Sequence, residues 1–208
     1  MRILVIGASG QTGRHVVRLL LIQGHEVTAF VRTSSTLMET NPHLRAVQGD
    51  ARDQQSLARA VEGQDAVISC FGPKTLAKSN LQEVLMRNLV AAMTKHGVKR
   101  LVNLSAWGSG GGAVAPTNPM VRYFLFPIVL GRLLADKNRG EVFLFGSALD
   151  YVNVCPGNLK NAPARGGLRA SIDGRGLRQF AHREDVAAFM VGQLTERAWV
   201  RKCVAVGY

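Results

Sequence analysis

The sequence predicts an α/β fold, a parallel sheet doubly wound with helices on both faces. Three observations carry this. Short apolar runs alternate with helix-period segments through the first half of the chain. Some runs are apolar at almost every position, such as AVISCF at residues 66–71, which suits strands buried on both sides. The first run also passes through a glycine-rich turn directly into a helical pattern.

The elements follow in order. Residues 2–6 read as strand one. Residues 12–23 read as a helix with Val16, Val17, Leu19 and Leu20 on its apolar face, closed by Gly24. Strands two and three fall at 26–31 and 44–48. Asp53 suits the N-cap of a helix running to about Val61, with Gly63 beyond it. Strand four is 66–71. Asn80 and Glu83 stand at capping-box spacing ahead of a helix to Lys95, ended by Gly97. Strand five is 100–105. The second half is less regular. Residues 108–119 are a loop by composition, and a helical pattern from Met120 breaks near Pro127. Residues 135–147 form another helix, 151–155 strand six, 184–195 a terminal helix and 202–206 a seventh strand. No internal repeat or linker marks a second domain, so one domain over 1–208 is expected.

Composition narrows the function classes. The 208 residues are 47% hydrophobic and 19% charged, ordinary for a folded domain. The longest apolar stretch, 123–130, contains Pro127 and is bracketed by Arg122 and Arg132, too short for a membrane span. The chain starts in a strand-like run with no charged leader, and the three cysteines form no CxxC or Cys/His cluster. No metal site is therefore expected, and a reducing, cytoplasmic setting is. A net charge of +12, with basic residues spread along the chain, favours small anionic ligands. Nucleic acid would call for a clustered patch.

The opening segment is VIGASGQTGRHVV, residues 5–17. Gly7 turns the chain sharply out of the strand, Gly10 permits close approach of a phosphate, and Gly13 lets the helix pack on the sheet. A helix start offers free N–H groups and partial positive charge. Ser9 and Thr12 add hydroxyls for the cap or a phosphate, and Gln11 lies between them. Strand, glycine loop and helix in this order point to a dinucleotide site on a Rossmann-type sheet of order 3-2-1-4-5-6-7.

The spacing GxxGxxG, with GASGQTG itself, resembles the atypical short-chain dehydrogenase/reductase superfamily in its NmrA-like, NAD(P)H-binding branch. The likeness to the biliverdin-IXβ reductase/flavin reductase group runs nearly end to end, through VRTSS, QGDARD, VEGQDAVI, RNLVAAMTKHGVKRLV, LSA, LDYVNVCPGNL, IDGRG and REDVAAFM. Strand two ends at Arg32, with Ser34 and Ser35 following and no carboxylate before Glu39. A basic residue there favours the 2′-phosphate, so NADP(H) is preferred and NAD(H) stays possible; a solvated loop arginine is the plain alternative. The resemblance implies that Asp50 bonds adenine, beside Ala51; the residues alone suggest a turn before a helix. The backbone of Cys70, Phe71 and Gly72 would flank the cofactor, and Lys74 reaches a phosphate or is simply exposed.

Typical superfamily members pair a tyrosine with a lysine at YxxxK spacing. Tyr123, Tyr151 and Tyr208 have no such lysine. Ser105, ending strand five ahead of Ala106, matches the family serine beside the nicotinamide. Lys137 falls where the flavin-reductase relatives carry a histidine; it suits ribose contact or charge stabilisation of an oxyanion, or it is a surface lysine. Asn158, after Pro156 and Gly157, replaces a second histidine. His182, Glu184 and Asp185 read as structural, at the start of the last helix. Substrate-side segments are expected at about 106–134 and 157–180, with Trp107, Tyr123, Phe124 and Phe126 as candidate walls and Arg122, Arg132, Arg165 and Arg169 as attractors of acidic groups.

Hydride transfer can run on proximity and orientation without a strong acid. The reading is an NADPH-dependent reductase of a small conjugated or aromatic substrate, such as a flavin, quinone or enone, acting as monomer or homodimer. The alternatives are a non-catalytic NADP(H)-sensing regulator, and an epimerase, dehydratase or cyclase on the same fold.

Overall fold

The computed structural model describes residues 1–33, 41–72, 80–109 and 126–208, without the side chains of 126–130, 132 and 133. The first βαβ unit comprises β1 (Arg2–Ile6), α1 (Gln11–Ile22) and β2 (Glu26–Val31). Then come β3 (Leu44–Gln48), α2 (Gln54–Val61), β4 (Ala66–Ser69), α3 (Leu81–Lys95) and β5 (Arg100–Leu104). The second half supplies α4 (Phe126–Phe145), β6 (Asp150–Pro156), β7 (Asn158–Lys160) and β8 (Arg169–Ser171). It closes with β9 (Phe180–His182), α5 (Arg183–Gly192) and β10 (Lys202–Gly207).

One sheet runs β3-β2-β1-β4-β5-β6-β10-β8. Six of these strands reproduce the expected order 3-2-1-4-5-6, and the expected seventh strand is β10, parallel to β6 with Val204 opposite Val154. Sequence reading missed β8, which adds antiparallel to β10, and the small β7-β9 pair. Both involve three-residue strands in a Gly/Arg-rich stretch, too short for alternation to register. The order reverses between β1 and β4, which opens a crevice at the C-terminal ends of the strands.

Two cores sandwich the sheet. On one face, Val16, Val17 and Leu20 of α1 and Val186, Met190 and Val191 of α5 pack on Ile3, Val5 and Val102. On the other, Leu57 of α2, Leu85, Leu89 and Met93 of α3 and Leu144 of α4 pack on Leu4, Val67 and Leu101. A fully buried leucine or isoleucine of this kind contributes roughly 1.5–3 kcal/mol. The strands alternate their side chains between the two cores, which is why β4 and β5 are buried at every residue.

Helix ends correct two expectations. Asp53 caps α2 as expected, accepting from Gln55 N–H at 3.0 Å. Asn80 makes no side-chain cap on α3. Asp136, from α4, does so instead, accepting from the N–H groups of Gln82 (3.1 Å) and Glu83 (3.3 Å). A carboxylate aimed along the dipole from a packed neighbour displaces the local amide. Pro127 is the second residue of α4, where its missing N–H has no intrahelical partner to lose; residues 120–125, ahead of the expected break, lie outside the described residues. One helix over Phe126–Phe145 replaces the separate helix expected at 135–147. Of the expected loop, residues 110–119 lie outside the described residues.

Candidate active site

At the C-terminal ends of β1, β2, β3 and β4, the crevice forms a hollow of about 240 Å³. Gly7, Ser9 and Gly10 make one wall, and Cys70, Phe71 and Gly72 another. Arg32, Asp50 and Ala51 line the third, together with Arg52 and Leu81, which sequence reading did not single out. Burial pushes the Cys70 thiol up to about 12, so this wall carries no thiolate.

The three glycines do different work. Gly7 has φ +77°, and a Cβ there would lie 2.9 Å from the Cys70 carbonyl. A Cβ on Gly13 would lie 2.1 Å from the Gly7 oxygen, so strand, loop and helix could not close together. Gly10 is less restricted: it is the N-cap residue of α1 with φ −73°, and its Cβ would meet only the Gly7 oxygen, at 3.0 Å. Among the described residues no side chain caps α1, and no acid lies in its first turn. The expected capping role of Ser9 or Thr12 is therefore not taken up; Thr12 is buried. A phosphate fits here, since the free N–H groups and the dipole have no other anion.

The loop after β3 is a built turn. Asp50 accepts from Arg52 N–H at 2.9 Å, and the Asn88 amide holds the carbonyls of Ala51 and Arg52, each at 3.2 Å. Arg52 and Asp50 approach to only 3.9 Å with both side chains mostly exposed. Two guanidinium groups thus border the hollow, opposite the free start of α1.

A second constellation lies at the end of β5, two strands from β1 and so about 10 Å away. Ser105 is 6% exposed, and its hydroxyl contacts both the Glu141 carboxyl and the Ser109 hydroxyl. Ser109 also donates to the Ala106 carbonyl at 2.7 Å. Lys137, one turn before Glu141 on α4, is buried and donates to the Leu104 carbonyl at 3.0 Å. It is not a surface lysine. Burial pulls its ammonium below the ordinary lysine value, with Glu141, Cys155 and Asp136 opposing that shift. Glu141 is 1% exposed, and its Oε2 has no partner among the described residues. Sequence reading missed Glu141 and Ser109. The available signal was Glu141 one helical turn from Lys137, which puts both on one face of α4.

The remaining sequence-predicted residues divide as follows. Gln11 and Gly13 belong to the first turn of α1, outside the lining of the hollow. Pro156 ends β6 and accepts from Trp107 N–H at 3.0 Å. Gly157 passes so close to Gln179 that a Cβ would lie 2.5 Å from its carbonyl oxygen, and Asn158 N–H bonds that same oxygen. Trp107 is buried beside Cys155 and Ala205. Ser34, Ser35, Lys74, Arg122, Tyr123 and Phe124, and the side chains of Phe126 and Arg132, lie outside the described residues. Arg165 and Arg169 border a separate hollow of about 390 Å³ with Arg178 and Tyr208. Glu184 and Asp185 hold the 164–166 loop: Glu184 accepts from Ala164 N–H, and Asp185 from the N–H groups of Arg165 and Gly166 and from the Tyr208 hydroxyl. Among the described residues, no helix is long and apolar enough to cross a membrane.

Comparison with known proteins agrees with this geometry. A family model described as NAD(P)H-binding matches residues 7–197. An uncharacterised chloroplastic protein of Arabidopsis thaliana is 32% identical over 80% of this chain, which spans 62% of that protein. An uncharacterised sugar epimerase of Bacillus subtilis is 28% identical over 95% of this chain and 89% of its own length. Among solved structures, the anaerobilin reductase ChuY of Escherichia coli O157:H7 superposes with a TM-score of 0.84 at 22% identity, covering 100% of this chain and 97% of its own. With the glycine loop, the uncapped α1 and the sheet order in place, the chain belongs to the NAD(P)H-binding family.

Proposed function

We propose that the chain is an NADPH-dependent reductase that transfers hydride to a small conjugated or aromatic substrate. The observation that carries this reading is the pair of sites along one sheet edge. A phosphate-accepting cradle lies at β1, and a buried hydroxyl–carboxyl–ammonium cluster lies at β5, one dinucleotide half away. When bound, the reduced dinucleotide supplies the hydride.

The chain's own residues then have distinct tasks. The backbone N–H groups of Gln11, Thr12 and Gly13 receive the pyrophosphate, and Gly10, whose own N–H bonds the Gly7 carbonyl at 2.9 Å, gives it room to approach. Arg32, with Arg52 also lining the hollow, grips the 2′-phosphate and sets the preference for NADP(H); Ser35 and Lys74, outside the described residues, remain cofactor-binding candidates from sequence alone. Asp50 and Ala51 hold adenine, and the backbone of Cys70, Phe71 and Gly72 flanks the adenosine half. Ala106, Pro156, Gly157 and Asn158 border the nicotinamide half. Ser105 bonds the substrate oxygen, and Lys137 supplies positive charge behind it. Arg165, Arg169 and Arg178 lie at the end of β10, two strands beyond β5, and favour a substrate bearing an acidic group.

The test is NADPH oxidation against a panel of flavins, quinones and enones, followed by absorbance of the reduced cofactor. At least one class is expected to turn over, faster with NADPH than with NADH. Intact cofactor binding without turnover on any compound would replace this reading with a cofactor-sensing one.

A further inference from the structure

We propose that Arg52 is a second arm of the 2′-phosphate grip and that Asn88, buried on α3, is the residue that positions it. The inference deepens the cofactor reading above and rests on the hollow at the ends of β1 to β4 holding the adenosine half of NADP(H).

Residue 52 has a fixed backbone and a free side chain. The Asp50 carboxylate accepts from Arg52 N–H at 2.9 Å, and the Asp50 carbonyl accepts from Asp53 N–H, also at 2.9 Å. Asp53 then caps α2. From the other side a single nitrogen, Asn88 Nδ2, donates to the carbonyls of Ala51 and Arg52, each at 3.2 Å. Arg52 is thus held through its own N–H and its own carbonyl, between two residues that are held as well. Its guanidinium makes no hydrogen bond among the described residues. Its ionic neighbour, the Asp50 carboxylate, stands 3.9 Å away, and the arginine side chain is 61% exposed. Five N–H donors in a planar fork are therefore left for a ligand, on a residue that lines the hollow together with Arg32. A phosphate monoester has three terminal oxygens, enough acceptors for more than one guanidinium.

Asn88 stands where the core would take an apolar residue. It is 5% exposed, and Leu85, Leu89 and Ala92 on the same helix belong to the core. An asparagine inside a helix also disfavours the helix, because its side chain competes for backbone groups. What it supplies there is a pair of donors for two loop carbonyls 36 and 37 positions away in sequence. The same helix holds the facing wall of the hollow, where Gln82 donates to the Phe71 carbonyl at 3.3 Å. Removing the Asn88 amide leaves the Ala51 and Arg52 carbonyls without it and frees the peptide that aims Arg52. Arg52 touches the cofactor; Asn88 acts through Arg52 and is a positioning residue.

Calorimetric titration with adenosine 2′,5′-bisphosphate and with 5′-AMP isolates the 2′-phosphate, because the probes differ by that group alone. The wild type is expected to bind the bisphosphate the more tightly. The ratio of the two affinities is expected to fall about 10-fold in Arg52→Ala and about as far in Asn88→Ala. The double variant is expected to show the ratio of Arg52→Ala alone, since Asn88 has nothing further to position. Arg59→Ala removes a charge from the exposed side of α2, outside the lining of the hollow, and is expected to keep the wild-type ratio. An unchanged ratio in Arg52→Ala overturns the second arm, and so does an equal fall in Arg59→Ala, which would assign the effect to overall charge. A wild-type ratio in Asn88→Ala, or a further fall in the double variant, overturns the positioning role. Should Asn88→Ala not fold, Asn88→Ser serves instead: its hydroxyl has one proton for two carbonyls, and a wild-type ratio there overturns the role equally. Equal binding of both probes by the wild type removes the 2′-phosphate reading itself. A ratio that depends on Arg32 and not on Arg52 removes this inference alone.

Discussion

At the ends of β1 and β4 the chain presents backbone; at the end of β5 it presents side chains. The first region is open. Its donors are the N–H groups of an uncapped helix, and its shape comes from glycines that let Gly7, Gly13 and the Cys70 carbonyl touch. The second is closed, with Ser105, Lys137 and Glu141 each at least nine-tenths buried and held by one another or by main-chain oxygens. The difference teaches how one sheet edge serves two ends of an extended ligand. Phosphates need close approach and fixed dipoles, which backbone supplies. A reacting centre needs groups that exchange protons, which only side chains in a dry setting supply.

The contrast breaks most visibly at Gly13. Gly13→Ala forces a Cβ against the Gly7 oxygen and is expected to cost about 3 kcal/mol, read as a lowered midpoint in urea. Gly10→Ala sharpens the point, because its backbone suits alanine, its Cβ would meet only the Gly7 oxygen at 3.0 Å, and the residue lines the hollow. It is expected to keep near-wild-type stability and lose dinucleotide affinity. If both variants lost stability equally, the separation between fold glycine and ligand glycine would be wrong.

The closed region tests differently. Asp136 is buried and caps α3 from α4, in the segment that carries Lys137 and Glu141. Asp136→Ala is expected to cost about 2 kcal/mol and Asn80→Ala less than about 0.5 kcal/mol, compared by chemical denaturation. A smaller effect belongs to Asp185. Burial pushes its carboxyl up, but the Tyr208 hydroxyl and the N–H groups of Arg165 and Gly166 hold it, on balance, below the ordinary aspartate value. A folded value below the unfolded one means stabilisation present above the ordinary aspartate range. It is lost as pH falls through the folded value. Asp185→Asn is expected to flatten the acid limb of the thermal midpoint against pH, and an unchanged limb would remove Asp185 from that account.

These two regions also differ in how far they could be read from sequence. The cradle is written in consecutive residues, since Gly7, Gly10 and Gly13 sit on one turn and Arg32 and Asp50 end the next two strands. Local spacing suffices there. The closed cluster joins Ser105 to a carboxylate 36 residues away, and the α3 cap joins residues 54 apart. Such pairings exist only once α4 has packed on α3. Ser105 was legible because strand ends are, and Glu141 was not because a glutamate inside a helix reads as solvated.

The central claim is that the open cradle holds a dinucleotide and that Arg32 grips its 2′-phosphate. Calorimetric titration of NADPH and NADH into the wild type and Arg32→Glu tests it most directly. The expected result is tighter NADPH binding in the wild type and a loss of about 10- to 100-fold for NADPH in the variant, with NADH nearly unchanged. Equal losses for both cofactors, or no binding of either to the wild type, would contradict it.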